Sequence, residues 1–237
     1  NNLKQNGIIQ LESHGQNGTI ATDIDYLAMA QYCSNTNLTC VMPMPYGLRY
    51  EGLASGLYEE LNQKSVTGAI AFMRGSGYRL ACVEEGRFHL CVMSHLAFEY
   101  YEQQGKDIQM VAAFGSRSYV EQHRIFVRPD FDGNWQGCKV GLDTSSVDQE
   151  LLTRFCFADK PVQYVPIIYS QLVPFLHNGM IDAGVWSADM LPEGLSYYPM
   201  PCLDEQEKDT VAVLVCRKSD NVTAQLVRKV LSVQNVT

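Results

Sequence analysis

The stretch that decides the fold runs from Leu38 to Leu61 and reads LTCVMPMPYGLRYEGLASGLYEEL. Its first part, Leu38–Met44, is an apolar run of strand length, and a proline-containing loop separates it from Glu51–Leu61. The second part places apolar residues at helical spacing, which predicts an amphipathic helix. A buried strand that leads directly into a helix is the repeating unit of an α/β protein.

The same alternation continues along the chain. Further strands are predicted at Val66–Met73, His89–Met93, Ile108–Phe114, His123–Val127, Cys138–Leu142, Pro161–Pro166, Ile181–Val185 and Thr210–Cys216. Further helices are predicted at Arg79–Glu85, His95–Gln104, Val147–Phe157, Tyr169–His177 and Val222–Val233. Apolar strands that alternate with helices favour parallel pairing with both faces of the sheet covered. Because the cycle restarts after Gly115, we expect two α/β halves of similar size.

The amino-acid composition and net charge exclude several classes of protein. The chain has 237 residues, of which 46% are hydrophobic, and this is enough to bury a core in one or two domains. With 18 Lys and Arg against 26 Asp and Glu, the net charge is −8, which disfavours binding of nucleic acid or anionic membranes by the chain as a whole. No apolar run approaches the roughly 18–20 residues of a membrane helix. A collagenous, disordered or membrane-spanning chain is therefore excluded.

Cysteine usage bears on the compartment. The eight cysteines lie mostly in apolar stretches without a Cys-x-x-Cys pair, so most are predicted to be buried reduced thiols, which favours the cytoplasm. The five histidines show no metal-ligand spacing, and we expect neither a metal nor a cofactor. Four Asn-x-Thr triplets point instead to secretion, although no signal peptide precedes them. They begin at Asn17, Asn37, Asn221 and Asn235.

Three strand-to-helix junctions are candidate ligand contacts, because ligands of open α/β sheets bind beyond the carboxyl ends of the strands. The first junction contains Tyr46 and Arg49, and Arg49 is either an anion-binding residue or a solvated side chain. The second contains Ser76 between two glycines, a turn that can cradle a small anion. Its companion Ser94 is either a helix cap, a ligand contact or both.

The third junction lies in the second half. Thr144, Ser145 and Ser146 precede a predicted helix, so one of these serines caps that helix and the loop also faces the expected cleft. Trp186 is either an aromatic wall of the cleft or a packing residue. Neither a Gly-x-Ser-x-Gly nor a His-Glu-x-x-His motif occurs, so we expect a binding protein without catalytic residues.

Several segments resemble the type II periplasmic-binding-protein fold. They are VMPMPYGLRYEGLASGLYEEL (41–61), GSGYRLACVEEGRFHLCVMSHLAFEYY (75–101), GCKVGLDTSSVDQELLTRF (137–155) and PFLHNGMIDAGVWSADML (174–191). The resemblance covers about residues 38–237 and implies two lobes around a ligand cleft. In that family a serine at a strand-to-helix junction often lines the cleft, which implies such a place for Ser94.

The first residues resemble a different module. LKQNGIIQLESHGQNGTIAT (3–22) looks like the last helix turn and β-hairpin wing of a GntR-type winged helix-turn-helix, in which the wing touches DNA. By position the wing tip would be Ser13, His14, Gln16 and Asn17. The tip has no arginine, which departs from the pattern, and we expect most of the DNA-binding domain upstream of this sequence.

Together, a wing followed by a two-lobed domain resembles the YhfZ type of enterobacterial transcriptional regulators. This implies a cytoplasmic, homodimeric regulator that binds operator DNA and senses a small, anionic effector between its lobes. The expected divisions are a wing remnant at 1–25, a linker at 26–37, a first lobe at 38–115 and 205–237, and a second lobe at 116–204.

Two alternatives stay open on sequence grounds. One is a solute-binding protein that hands its ligand to a transporter, and the other is a small-molecule lyase or dehydratase on the same fold. The first would call for a secretion signal. The second calls for a titratable cleft residue whose mutation abolishes turnover while ligand binding is retained.

Overall fold

The computed structural model describes residues 2–33, 36–63, 66–201 and 207–236. The strands are β1 (Ile9–Ser13), β2 (Thr19–Ile24), β3 (Asn37–Met42), β4 (Thr67–Phe72), β5 (Leu90–Ser94), β6 (Ile108–Ala113), β7 (His123–Val127), β8 (Lys139–Leu142), β9 (Gln163–Pro166), β10 (Ala183–Ser187), β11 (Ser196–Pro199) and β12 (Ala212–Arg217). The α-helices are α1 (Asn2–Gln5), α2 (Tyr26–Tyr32), α3 (Leu48–Gln63), α4 (Ser76–Glu84), α5 (His95–Gln103), α6 (Val147–Cys156), α7 (Leu172–His177) and α8 (Asn221–Val230).

Two five-stranded sheets form the body of the protein. The first has the order β4-β3-β5-β12-β6 and the second the order β11-β7-β10-β8-β9. We call each sheet with its helices a lobe. The predicted boundary at 115/116 falls in the connection between β6 and β7, and the one at 204/205 lies outside the described residues.

The parallel pairing that the alternation favours does not hold for one strand in each lobe. β12 runs antiparallel to β5 and β6, and β7 runs antiparallel to β10 and β11. At their starts, Ala212 pairs with Ser94 and His123 pairs with Ser187, each at the carboxyl end of its neighbour. The chain thus reaches these two strands from the opposite lobe, at the edge where the other strands end. Each of these two strands therefore runs antiparallel to its neighbours.

Apolar side chains cover both faces of the first sheet. Leu57 and Leu61 of α3 and Val227 of α8 pack on one face, together with Leu90 and Leu214 of the sheet. The other face carries a separate cluster formed with α4 and α5. The second lobe repeats this arrangement with α6 on one face and α7 on the other. β11 was not predicted, because its four residues are exposed and end in a proline.

The amino-terminal hairpin pairs β1 with β2, as the sequence predicts. Its turn is a short 3-10 segment, Gly15–Asn17, followed by Gly18 with a φ of 90°. The segment predicted as a linker contains α2, which Asp25 caps through the backbone N–H groups of Leu27 and Ala28. This helix packs against α8, so it joins the first lobe.

The burial predicted for most of the cysteines is confirmed. Cys40, Cys82, Cys91, Cys138, Cys156 and Cys216 are buried free thiols, whereas Cys33 is exposed. Burial raises the pKa of the Cys91 thiol to about 12, so this thiol stays protonated and inert. Cys202 lies outside the described residues. No helix in the described part of the chain is long and apolar enough to span a membrane.

Two glycines of α3 provide a test of how the carboxyl terminus packs. A Cβ at Gly56 would lie 2.9 Å from both the Cα and the carbonyl oxygen of Val236, whereas a Cβ at Gly52 would meet nothing within 4 Å. We expect Gly52→Ala to stabilise the protein by about 0.5–1 kcal/mol, since alanine is the better helix former. We expect Gly56→Ala to be destabilising by about 1–3 kcal/mol, because backbone must move. Chemical denaturation measures both, and equal stabilisation would contradict this packing.

Candidate functional site

A cavity lies where the carboxyl ends of the strands of the two lobes face each other. Its volume is about 70 Å³. Its wall comes from the loops after β3, β4, β8 and β9, from the first turns of α3, α4 and α6, and from the connection before β7. The lining residues that bear on function are Tyr46, Tyr50, Arg74, Ser76, Arg79, Tyr119, His123, Ser146, Asp148 and Tyr169.

The charged centre of the cavity is Arg79 of α4, which is 3% exposed. Its Nε donates to the Val92 carbonyl and its Nη1 to the Met73 carbonyl, both at 3.0 Å. Its Nη2 donates to the Tyr119 hydroxyl at 3.3 Å. Arg79 forms no ion pair with a described residue. A buried guanidinium is thus held at a fixed position by neutral oxygen atoms, with N–H donors to spare.

A buried carboxyl group enters the cavity from the opposite lobe. Asp148, in the first turn of α6, accepts a hydrogen bond from the Ser94 hydroxyl. The same hydroxyl accepts the backbone N–H of Ala97 at 2.9 Å and so caps α5. Burial raises the pKa of Asp148 above its ordinary value, while the hydrogen bond from Ser94 opposes the rise. One serine therefore fixes a helix of its own lobe and binds the other lobe.

A second contact between the lobes lies at the start of α4. The Ser76 hydroxyl accepts the Val147 N–H at 3.4 Å, and it lies 3.2 Å from the Tyr101 hydroxyl. Gly75 has a φ of 71°, and a Cβ there would lie only 2.7 Å from the Ser145 carbonyl oxygen. The loop therefore needs glycine both for its backbone conformation and for the close approach of the lobes.

Aromatic rings form much of the remaining wall. Tyr169 stacks on Trp186 with ring centres 4.2 Å apart, and Tyr46 lies 6.2 Å from Tyr169. Burial raises the pKa of Tyr119 to about 12, so its hydroxyl stays neutral and able to bond at physiological pH. The buried Tyr46 hydroxyl has no hydrogen-bond partner among the described residues. A buried polar atom without a partner is rare, and an ordered water, an ion or a ligand would satisfy it.

The sequence-predicted ligand residues divide into two groups. Tyr46, Ser76 and Ser146 line the cavity, and Trp186 supports it from behind Tyr169. Ser94 is wholly buried and does not line the cavity. Ser145 bonds to Asp143, and Thr144 is exposed outside the cavity. Ser146 takes the N-cap position of α6 but makes no side-chain cap bond, so the prediction that a serine side chain caps this helix is wrong.

Arg49 does not reach the cavity. Its guanidinium makes an ion pair with Glu121, lies 3.2 Å from an Asp189 oxygen and donates to the Arg117 carbonyl. Arg49 belongs to α3 of the first lobe and Asp189 follows β10 of the second, so this ion pair also joins the lobes. The geometry favours a role in holding the lobes together.

The residues that sequence reasoning missed are mainly Arg79, Asp148, Tyr119 and Tyr169. Arg79 and Ser76 are three residues apart on one helix, so they share a face, and this spacing was the available signal. Asp148 looked like an ordinary acidic residue of a helix first turn. Among described residues, no group of three or more His, Cys, Asp and Glu side chains is placed to hold a metal ion.

The predicted wing tip is exposed. Ser13 ends β1, His14 begins the turn, and Gln16 and Asn17 lie in the 3-10 segment, all facing solvent. The His14 N–H donates to the Gly18 carbonyl at 2.8 Å and closes the turn. These side chains are therefore free to contact a partner.

Comparison with known proteins agrees with this architecture. The YhfZ C-terminal domain family matches residues 25–237. The uncharacterized protein YhfZ of Escherichia coli (strain K12) is 31% identical over 233 residues, which is 97% of this chain and 76% of that protein. The crystal structure of YhfZ from Shigella flexneri matches with a TM-score of 0.75 and 31% identity, over 90% of this chain and 91% of that one.

A more distant match gives the class of fold. The periplasmic aliphatic sulphonate binding protein SsuA from Escherichia coli matches with a TM-score of 0.62 at 14% identity, over 84% of this chain and 72% of that one. The protein therefore has the two-lobed α/β fold of the periplasmic-binding-protein-like class. Within that class, the chain belongs to the YhfZ C-terminal domain family.

The raised pKa of Asp148 makes a prediction about pH. The folded protein binds this proton more tightly than the unfolded chain, so the contribution of Asp148 is fully present below its ordinary pKa and is lost as the pH rises through the raised value. We expect Asp148→Asn to gain melting temperature relative to wild type as the pH rises from about 4 to 8, because the amide never ionises. Thermal unfolding monitored by circular dichroism across this range measures the difference.

Asp159→Asn is the matched control, since Asp159 is exposed and its neighbour Lys160 lowers its pKa. We expect Asp159→Asn to change the melting temperature only slightly, and in the opposite direction. Wild type should be the more stable of the two at higher pH. A constant difference between Asp148→Asn and wild type would contradict the burial of an ionisable Asp148.

Proposed function

We propose that the cavity binds a small metabolite through an anionic group, and that the chain is the effector-sensing domain of a cytoplasmic DNA-binding transcriptional regulator. The observation that carries the ligand proposal is Arg79, a buried guanidinium at the cavity with no ion pair to a described residue. Neutral oxygen atoms satisfy three of its N–H groups but do not neutralise its charge, and an anionic ligand would pair with that charge directly.

The start of α4 adds to this attraction. Gly75 caps the helix without a side-chain hydrogen bond, so the first N–H groups of α4 receive no acceptor from the cap. The positive end of the helix dipole and Ser76 lie on the same wall as Arg79. The unpartnered Tyr46 hydroxyl offers a further donor for the ligand. These groups suit a carboxylate, phosphate or sulphonate on a small organic body.

The size of the cavity connects binding to motion. Ligand pockets commonly measure about 300–1,000 Å³. The 70 Å³ cavity is well below this range, so we expect the lobes to separate when a metabolite binds. Separation breaks the Ser94–Asp148, Ser76–Val147 and Arg49–Asp189 contacts. A ligand that binds one lobe spacing more tightly shifts the population toward it, which is what an effector domain requires.

The regulator role is supported by the hairpin at the amino terminus. Its exposed tip carries Ser13, His14, Gln16 and Asn17, polar side chains suited to a nucleic-acid backbone. The buried free thiols suit a reducing compartment, which is why we place the protein in the cytoplasm. The second candidate is a solute-binding protein of a transporter, which shares the fold with SsuA.

A thermal-shift screen against small carboxylates, phosphates and sulphonates tests the ligand proposal. A ligand at 100 times its Kd adds about 2.7 kcal/mol of stability, which is readily seen. We expect Ser76→Ala and Tyr46→Phe each to weaken binding about fivefold to tenfold, since each removes one hydrogen-bonding group. Thr144→Ala, an exposed residue of the third junction outside the cavity, should bind like wild type.

Two outcomes would overturn the ligand proposal: a screen without any stabilising anion, or a ligand whose affinity Ser76→Ala and Tyr46→Phe leave unchanged. The regulator proposal is tested with the full-length Escherichia coli relative, of which the match covers 76%. We expect it to bind DNA and the ligand to change that affinity. A protein that binds the ligand but no DNA favours the solute-binding alternative, and turnover of the ligand favours an enzyme.

A further inference from the structure

The strand β4 forms an edge of the first sheet and lacks the charged side chain that lies at the opposite edge. It reads TGAIAF, without a charge or a proline, and it is bonded on one side only, to β3. At the opposite edge, the Arg228 guanidinium lies within 3.4 Å of the Met110 carbonyl of β6 and places a charge there. Natural sheets commonly protect exposed edges with charges, prolines or bulges. β4 has no such protection.

The hydrogen-bonding groups that β4 leaves open can be counted. The N–H groups of Thr67 and Met73 donate to the carbonyls of Thr36 and Met42 on the β3 side. Backbone groups alternate between the two sides of a strand, so those of Gly68, Ile70 and Phe72 point away from β3.

The Asn62 side chain meets both outward groups of Gly68, which donates to Asn62 Oδ1 at 3.2 Å and accepts from Nδ2 at 3.5 Å. Among the described residues, the outward groups of Ile70 and Phe72 have no partner.

We propose that β4 pairs with β4 of a second copy of this chain, in antiparallel register centred on Ala71. In that register Ile70 of each copy faces Phe72 of the other, and the four open N–H and C=O groups of each copy are all satisfied. A register centred on Ile70 would instead require the backbone of Gly68, which Asn62 already occupies. The Asn62 contact therefore sets where the pairing ends. Under a two-fold axis, Ile70 and Phe72 of one copy pair with Phe72 and Ile70 of the other. The same surface is therefore used by both copies, as an isologous interface requires.

Side chains beside the edge fit the same pairing. Ile70 lies on the α3 face of the sheet, where it packs against the α3 cluster. Phe72 is 42% exposed and Tyr58 of α3 is 53% exposed, and they share an open groove with small residues. A two-fold axis through Ala71 sets Ile70 against Phe72 of the other copy, a cross-strand pair that stabilises sheets. The groove residues are Ala54, Ser55, Tyr58, Glu59, Ile70 and Phe72.

Cysteine cross-linking tests the register. In a pair centred on Ala71, the two Ala71 Cα atoms lie about 4.5 Å apart, within the range of a disulfide. In a background with Cys33 and Cys202 replaced by serine, we expect oxidised Ala71→Cys to run as a covalent dimer on a non-reducing gel. Ala69→Cys is the matched control, because its two copies would lie about 13 Å apart. It should remain monomeric on the gel.

The mass in solution, measured by light scattering, provides the second readout. We expect the unmodified chain to be a dimer and Phe72→Lys to shift its dissociation constant at least about tenfold, since a charge would face the partner strand. Val222→Lys places the same charge at an exposed apolar site on α8 and should leave the mass unchanged. Circular dichroism confirms that each variant is folded.

A monomeric chain, a Phe72→Lys variant that dimerises like wild type, or cross-linking through Ala69→Cys rather than Ala71→Cys would overturn the proposal. The first outcome would point to a different partner strand at β4. This inference names the partner of the proposed regulator domain but does not use the ligand cavity, so each proposal can fail without the other.

Discussion

The hydrogen bond between Ser94 and Asp148 is the interaction on which the closed arrangement depends. It forms where two helices from different lobes begin, and both groups are buried. A buried carboxyl group needs hydrogen-bond partners, and Asp148 is bonded to the Ser94 hydroxyl. That hydroxyl is itself held in place by the backbone N–H of Ala97 in the first turn of α5. Together with the Ser76–Val147 and Arg49–Asp189 contacts, this hydrogen bond holds α6 of one lobe beside α5 of the other.

The cavity beside this contact combines a fixed charge with an apolar wall. Arg79 bonds to carbonyls at the end of β4 and in β5, so its position is set by the sheet and not by a flexible loop. Tyr169 is equally constrained, stacked on Trp186 and bonded through its hydroxyl to the Ser187 N–H at 3.0 Å. Such a site is preorganised on both sides, and binding would require little side-chain rearrangement beyond the separation of the lobes.

Strand-to-helix alternation allowed most elements to be predicted from sequence, because buried strands and amphipathic helices have different periodicities. The direction of β7 and β12 was not predictable in this way, since it depends on which lobe the chain comes from. The junction rule led to Tyr46, Ser76 and Ser146 but also to Arg49, whose partners Glu121 and Asp189 are distant in sequence. Arg79 and Asp148 were missed because burial of a charged residue depends on tertiary packing that one helix does not encode.

Gly75 allows the two lobes to approach each other closely. Because its Cα carries only hydrogen, the Ser145 carbonyl of the other lobe approaches to a distance that no side chain would tolerate. A Cβ there would lie 2.7 Å from that oxygen and 2.9 Å from the Tyr78 ring, in a backbone conformation that favours glycine, so both the loop and its contact with the other lobe would have to shift. The fit between the two lobes thus depends on the absence of a methyl group at this position.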